Sequence, residues 1–249
     1  MINYAIFTPH HKSEVIEMNS GQLYFQTDAW YYYSKRLIDV LIVASALLFL
    51  APLMLLIAAL IKLDSSGPVF FVQERIGSKR CVENGRTSWK IQKFRIYKFR
   101  SMFHNADDSI HRAYIKAFVQ GNAEQADSSG PKFKLTNDPR ITRVGHLLRK
   151  TSMDELPQLI NVLRGEMSLV GPRPVPEYEV AEYREAWHYG RLAGLPGITG
   201  LWQVTGRCQV EFEEMIRLDL EYIRSQSTWL DLKILFLTVP AVLSGAGAE

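Results

Sequence analysis

Asp154 and Glu155 stand side by side in the run KTSMDELPQLINVLRGEMSLVGPRP, residues 150–174, with Arg149 and Lys150 on one flank and Arg164 and Arg173 on the other. Two carboxylates ringed by cations suit an anionic substrate. Aspartate has a reference pKa of about 3.9, so at neutral pH it is already an anionic nucleophile that needs no partner base. Carboxylates alone repel a phosphate. Cations offset that repulsion, and so does a hard ion such as Mg2+, which binds through few carboxylates plus substrate phosphates. Asp154 and Glu155 are thus the candidate catalytic pair and the candidate Mg2+ ligands. The same pattern also describes a capped surface helix with ordinary ion pairs.

The elements that must hold these groups are legible. Leu156, Leu159, Ile160 and Leu163 fall at i, i+3, i+4 and i+7 on one helix face, and Gly165 stops the helix after Arg164. Ser152 with Glu155 spells a capping box, and Pro157 suits a first turn, so both acids are expected in the first helical turn, where the dipole favours anions. Neighbouring helical positions point about 100° apart, which gives the two acids separate roles. Arg173 lies in Gly171-Pro172-Arg173-Pro174, where the prolines pre-order a planar fork suited to phosphate. Residues 67–77 read as a turn and a short strand, residues 89–99 as a second strand, and Asn84-Gly85 as a hairpin turn between them. In that second strand Lys98 and Arg100 share one face, which meets either a diphosphate or solvent. Helices are expected over 106–119 and 211–225, and a Gly/Ser/Pro loop over 121–131. Arg140 and Arg143 precede the acids and read equally as ligands or as structural ion pairs.

The apolar run 37–61 would make a helix roughly 37 Å long, enough to cross a bilayer core of about 30 Å. One transmembrane span is the simple reading. Pro52 near its middle, Asp39 inside it, and cations at both ends (Lys35 and Arg36; Lys62, Arg75, Lys79 and Arg80) favour a segment that enters and returns on one face. The run starts too late and is too long for a signal peptide. Trp30 to Tyr33 form an aromatic cluster suited to the headgroup level. Residues 1–29 read as a polar tail whose His10-His11 pair lacks further metal ligands. Residues 229–243 are apolar but too short to span, and predict an interfacial helix with Trp229, Asp231 and Lys233 near water.

DELPQLINVLRGEMSLVGPRP, with the upstream Tyr97-Lys98-Phe99-Arg100-Ser101-Met102 and the downstream Pro196-Gly197-Ile198-Thr199-Gly200-Leu201-Trp202-Gln203-Val204, resembles the bacterial sugar transferase family, the monotopic phosphoglycosyl transferases. The resemblance runs from about Lys35 to the C-terminus. It implies transfer of a sugar 1-phosphate from a UDP-sugar to a membrane polyprenyl (undecaprenyl) phosphate, with release of UMP, the first step in building many surface glycans. It implies Asp154 as the nucleophile of a covalent phosphosugar-aspartate, Glu155 beside it, and a Mg2+ cofactor that either acid serves. It favours Arg149 as a phosphate ligand beside Lys98, Arg100 and Arg173. The Pro196–Arg207 motif is placed at the nucleotide end of the donor, with Gln203 and Arg207 as hydrogen-bonding candidates; Trp202 either stacks on a base or anchors the loop. A re-entrant helix-break-helix is implied at Pro52, although Ala51-Pro52 stands where members often carry Ser-Pro. The hairpin around 78–88 is longer than usual for the family.

Composition fits this reading. A net charge of +3 suits an anionic lipid surface or phosphates better than extended nucleic acid, for which no module is visible. Cys81 and Cys208 form no disulfide framework and point to a reducing compartment. The expected architecture is α+β: a tail (1–29), a membrane segment (30–63) and one catalytic unit (64–249) on the cytoplasmic face of the bacterial inner membrane. A homo-oligomer, a nucleotide-sugar phosphohydrolase and a non-catalytic UDP-sugar-binding scaffold all stay open.

Overall fold

The computed structural model describes residues 4–6, 16–19, 22–25, 27–83, 86–107, 109–120, 138–205 and 210–243. The Asn84-Gly85 turn, the His10-His11 pair and the 121–131 loop lie outside these residues, as does Arg207.

Strands β1 (Tyr4–Ile6), β2 (Ile16–Asn19), β3 (Gln22–Tyr24), β4 (Phe70–Glu83) and β5 (Arg86–Phe99) form one antiparallel sheet in the order β1-β2-β3-β5-β4. The long hairpin pairs from Phe70↔Phe99 to Glu83↔Arg86, on either side of the expected turn. Both strands run further than their apolar patterns suggested, because β3 joins β5 with Leu23 opposite Trp89, and both side chains are buried. That pair supplies the core which the charged hairpin lacks on its own.

Helix α1 (Ala29–Asp64) is a single element of 36 residues with Pro52 inside it. The expected break is therefore not a break in helical structure. Proline removes one hydrogen bond, to the Leu48 carbonyl, and here it lies on the exposed side. The opposite stripe stays packed on either side of it: Lys35, Asp39 and Val43, then partly buried Leu47, Leu50, Leu53 and Met54, then Ile57 and Ile61. The other face exposes Leu48, Phe49, Leu55 and Leu56. Only 11% of the most apolar 18-residue window, of mean hydropathy 2.9, is covered by protein, unlike the central helix of a soluble core.

The remaining elements are α2 (Ser109–Val119), α3 (Arg143–Lys150), α4 (Gln158–Arg164), β6 (Ser168–Val170), α5 (Glu177–Val180), β7 (Gly197–Thr199), α6 (Leu201–Thr205), α7 (Phe212–Ser225) and α8 (Thr228–Leu243), with β6 and β7 paired in parallel. Trp89, Phe94 and Ile96 of β5 form the main core with Val43 of α1, Val162 of α4, Met215 and Ile216 of α7 and Ile234 of α8. Burying each large apolar side chain contributes about 1.5–3 kcal/mol. A second cluster, Ile57, Ile61, Phe99 and Leu148, seats the end of α1 on β5 and α3.

In α8, Trp229, Phe236 and Val239 are exposed, but Asp231 is not near water as its sequence position suggested. α8 turns it toward α1, where it meets Lys35 Nζ at 2.8 Å and accepts hydrogen bonds from the Tyr31 and Tyr222 hydroxyls at 2.9 and 2.7 Å.

Candidate active site

Three chain segments converge to place the two acids among cations. The first is the turn after α3. Ser152 donates its N–H to the Arg149 carbonyl and takes a left-handed φ of 56°, so it ends α3 instead of capping the next helix. The expected capping box is thus absent, and Asp154 and Glu155 occupy a one-turn 3-10 helix, Met153–Glu155, just ahead of α4. Gly165 ends α4 at φ 77°, as expected of a helix-terminating glycine.

The second segment is β5. Lys98 Nζ lies 2.6 Å from Glu155 Oε1 and 3.8 Å from Asp154 Oδ2. Asn161, fully buried in α4, locks the strand in place: its side-chain amide donates to the Arg95 carbonyl at 2.7 Å and accepts from the Tyr97 N–H at 3.2 Å. Sequence reading passed over Asn161, whose only signal is a polar residue among apolar helix positions. The third segment is the loop after β6. Gly171 fits where a Cβ would come 2.3 Å from the Leu195 carbonyl oxygen, and this close seat aims Arg173, whose guanidinium meets Glu155 Oε1 at 3.1 Å.

Arg149, at the end of α3, donates from Nε to Ser101 Oγ at 3.1 Å. Burial lowers its basicity, and the carboxylates of Asp154 and Asp138 oppose that shift. Asp154 is 9% exposed. Lys98, Arg149, Arg173 and both acids line one cavity of about 450 Å³. Gln203 of α6 also lines it, with its amide donating to the Ile198 carbonyl. Thr238, Ala241 and Val242 of α8 form another part of the wall.

Arg100 does not join Lys98. β5 ends at Phe99, so the strand alternation stops there, and the buried guanidinium turns back to the end of α1, donating to the Ser65 carbonyl at 2.7 Å and Ser65 Oγ at 2.9 Å. It neutralises the negative end of that helix and is not among the residues lining the cavity. Arg164 also leaves the site, bonding the Tyr97 hydroxyl at 2.7 Å and lying over that ring. Arg140 is a structural partner of Asp138, 2.6 Å away. Trp202 packs in the core, as an anchor of the loop would, and it also lines the cavity.

Arg75 of β4 and Glu179 of α5 also line the cavity, and sequence reading gave neither a role there. Glu179 is buried against Arg191, 3.1 Å away, and that guanidinium also meets Asp219 at 2.7 Å. Neither residue sits in the motif-rich segments, and only the fold brings them to the acids. Among the described residues no cluster of three or more His, Cys, Asp or Glu forms a candidate metal site. The adjacent Asp154 and Glu155 suit Mg2+, which needs one or two carboxylates and completes its shell with substrate phosphates and water.

Known proteins resemble this chain along most of its length. The model of the Bacterial sugar transferase family matches residues 30–245. The exopolysaccharide production protein ExoY of Sinorhizobium fredii is 42% identical over 215 residues, covering 86% of this chain and 88% of that protein. The UDP-galactose-lipid carrier transferase of Erwinia amylovora is 41% identical over 214 residues, 86% of this chain but 41% of its own length. The undecaprenyl-phosphate galactose phosphotransferase of Salmonella typhimurium is 38% identical over 214 residues, with the same two coverages. With a family model spanning almost all of the chain and a full-length relative of such identity, this protein belongs to the bacterial sugar transferase family.

Proposed function

We propose that this chain transfers a sugar 1-phosphate from a UDP-sugar to a membrane polyprenyl phosphate through a covalent intermediate on Asp154, an early step in surface polysaccharide assembly. The observation that carries this reading is the setting of Asp154: a carboxylate in a cation-lined cavity, with Lys98 within 4 Å and Arg149 as an electrostatic neighbour. The names of the relatives, which include undecaprenyl-phosphate galactose and glucose phosphotransferases, support the acceptor class.

In the proposed first step an Asp154 carboxylate oxygen attacks the sugar-bearing phosphorus of the donor. The bond from that phosphorus to the oxygen bridging the two phosphates breaks, and UMP leaves with that oxygen and its electron pair. In the second step an oxygen of the polyprenyl phosphate attacks the same phosphorus, the bond to Asp154 breaks, and the carboxylate returns unchanged. The nucleophile needs no general base, since both attacking oxygens are already anionic. Lys98, Arg149 and Arg173 stabilise charge building on the phosphoryl oxygens, and Glu155 holds Lys98 and Arg173 in register for that task. Mg2+ held by Asp154 or Glu155 would supply further charge neutralisation on the phosphates. Gln203 is the proposed contact to the nucleotide.

The acceptor is a lipid, so the cavity must open at a membrane. Both ends of α1 are tied to the same folded unit, through Lys35 with Asp231 and through Arg100 with Ser65, which favours a helix that enters and leaves on one face over a span. The flanking cations favour the cytoplasmic side of the inner membrane for that face.

The test is intact-protein mass spectrometry of detergent-extracted protein incubated with Mg2+ and single UDP-sugars, for wild type and Asp154→Asn. A phosphosugar adduct on wild type alone is expected, discharged by polyprenyl phosphate. UMP release with free sugar phosphate, unaffected by lipid, would mark a hydrolase. Nucleotide binding without turnover would mark a scaffold.

A further inference from the structure

Three of the four Lys and Arg side chains lining the cavity have Asp154 or Glu155 as their main counter-charge. Lys98 and Arg173 contact Glu155, and the charges nearest Arg149 are Asp154 and Asp138. Arg75 differs. Its NH2 donates to Gln73 Oε1 at 2.7 Å, its NH1 reaches the Pro174 carbonyl at only 3.4 Å, and its Nε is shut from solvent with no hydrogen-bond partner. Among the described residues no carboxylate lies within ion-pair distance of it, since neighbouring Glu179 is engaged by Arg191. Burial pushes its guanidinium down to about 10, with the like charge of Arg173 adding to that shift and Tyr178, Glu179 and Glu155 opposing it from beyond ion-pair distance.

A buried guanidinium with no ion pair and an unsatisfied N–H is costly on its own, and an anion relieves both problems. The planar fork matches phosphate oxygens, and a second fork from Arg173 faces the same cavity. We propose that Arg75 and Arg173 form a two-guanidinium clamp for a phosphoryl group of the donor diphosphate, with Arg75 as a ligand contributed from outside the 150–174 run. This rests on the phosphosugar-transfer reading above and adds one residue to its substrate contacts. The competing role for Arg75 is support of the Arg173 loop through the Pro174 carbonyl.

Calorimetric titration of the full-length protein in detergent with Mg2+, using UDP and inorganic pyrophosphate as probes, separates these. Both are diphosphates that carry no sugar to transfer. For Arg75→Gln we expect both affinities to fall at least tenfold and Arg75→Lys to lie between. The melting temperature without ligand should hold or rise, because a buried charge and its repulsion by Arg173 have gone. If Arg75→Gln binds UDP and pyrophosphate within twofold of wild type, the clamp is wrong, and a lowered melting temperature in that variant would assign Arg75 to the loop. If wild type binds pyrophosphate but not UDP, and Arg75→Gln weakens it, the clamp stands and the nucleotide-donor reading fails. Binding of neither probe by wild type overturns the clamp as well.

Discussion

Asp39, one turn beyond Arg36 in the apolar helix, accepts a 2.7 Å hydrogen bond from the hydroxyl of Ser168, the first residue of β6, and a 3.2 Å bond from the Leu169 N–H. Arg36 meanwhile donates to the Val162 and Leu163 carbonyls at the end of α4. Within one turn α1 thus holds both sides of the link between the acids and Arg173. Asp39→Ala leaves the Ser168 hydroxyl and the Leu169 N–H buried without their acceptor, at a cost of about 1–3 kcal/mol each. The expected result is a clearly lower melting temperature in detergent, and an unchanged one would refute this role.

Lys98 and Arg100 are two residues apart, yet their variants should behave differently. Lys98→Met removes a cation beside both acids, and a loss of about 100-fold or more in kcat/KM is expected. Arg100→Gln should leave the donor KM unchanged and lower the melting temperature, since it loses charge-assisted bonds worth about 1.5–3 kcal/mol at the end of α1. Steady-state kinetics paired with thermal melts decide the matter. A raised KM in Arg100→Gln would return that residue to the substrate site.

That contrast marks how far the sequence could be read. The helix over 158–164, its glycine stop, the hairpin and the helices at 109–119, 212–225 and 228–243 all follow from local patterns of apolar residues and turn formers. The candidates Asp154, Glu155, Arg149 and Arg173 stand in or beside one run and Lys98 in a second motif, and the fold brings all five to one cavity. What was not legible depends on where a strand ends or which element packs alongside. Arg100 leaves the site because β5 stops one residue earlier. Asp231 is buried because α8 lies against α1. Arg75 lies within the expected strand, but only the bridge of its neighbour Ile76 to Val175, after Arg173, brings it to the cavity.

Removing one member of the Lys35–Asp231 pair should cost more than removing both. Each side chain is about nine-tenths shielded, so Lys35→Met or Asp231→Leu alone strands a buried charge, typically a loss of about 3–5 kcal/mol. The double variant should recover part of that loss. Chemical-denaturation midpoints for the four proteins test the coupling, and additive losses would contradict it.

His188 gives the protein an acid-sensitive point away from the cavity. Its ring is packed among Tyr183, Trp187 and Phe212, and this burial holds the imidazole below its ordinary value despite Glu213 at 3.2 Å. The folded value lies below the unfolded one of about 6.5. The stabilising contribution is therefore fully present above that pH and is lost as pH falls through the folded value. Melts between pH 8 and 5 should show wild type losing more stability than His188→Gln, and parallel slopes would count against it.

The stripe that α1 buries along its whole length also has a consequence for biosynthesis. Lys35 leaves the ribosome 196 residues before Asp231, an interval of roughly 10–40 s at about 5–20 residues per second. On the proposed membrane reading, α1 would meet the bilayer throughout that time with a lysine whose counter-ion does not yet exist. Hydration holds such a charge at the water boundary, so the helix enters with its N-terminal end tethered there. On that reading, the orientation of the helix would be set before the candidate acids Asp154 and Glu155 have been translated, and the later arrival of α8 would lock it.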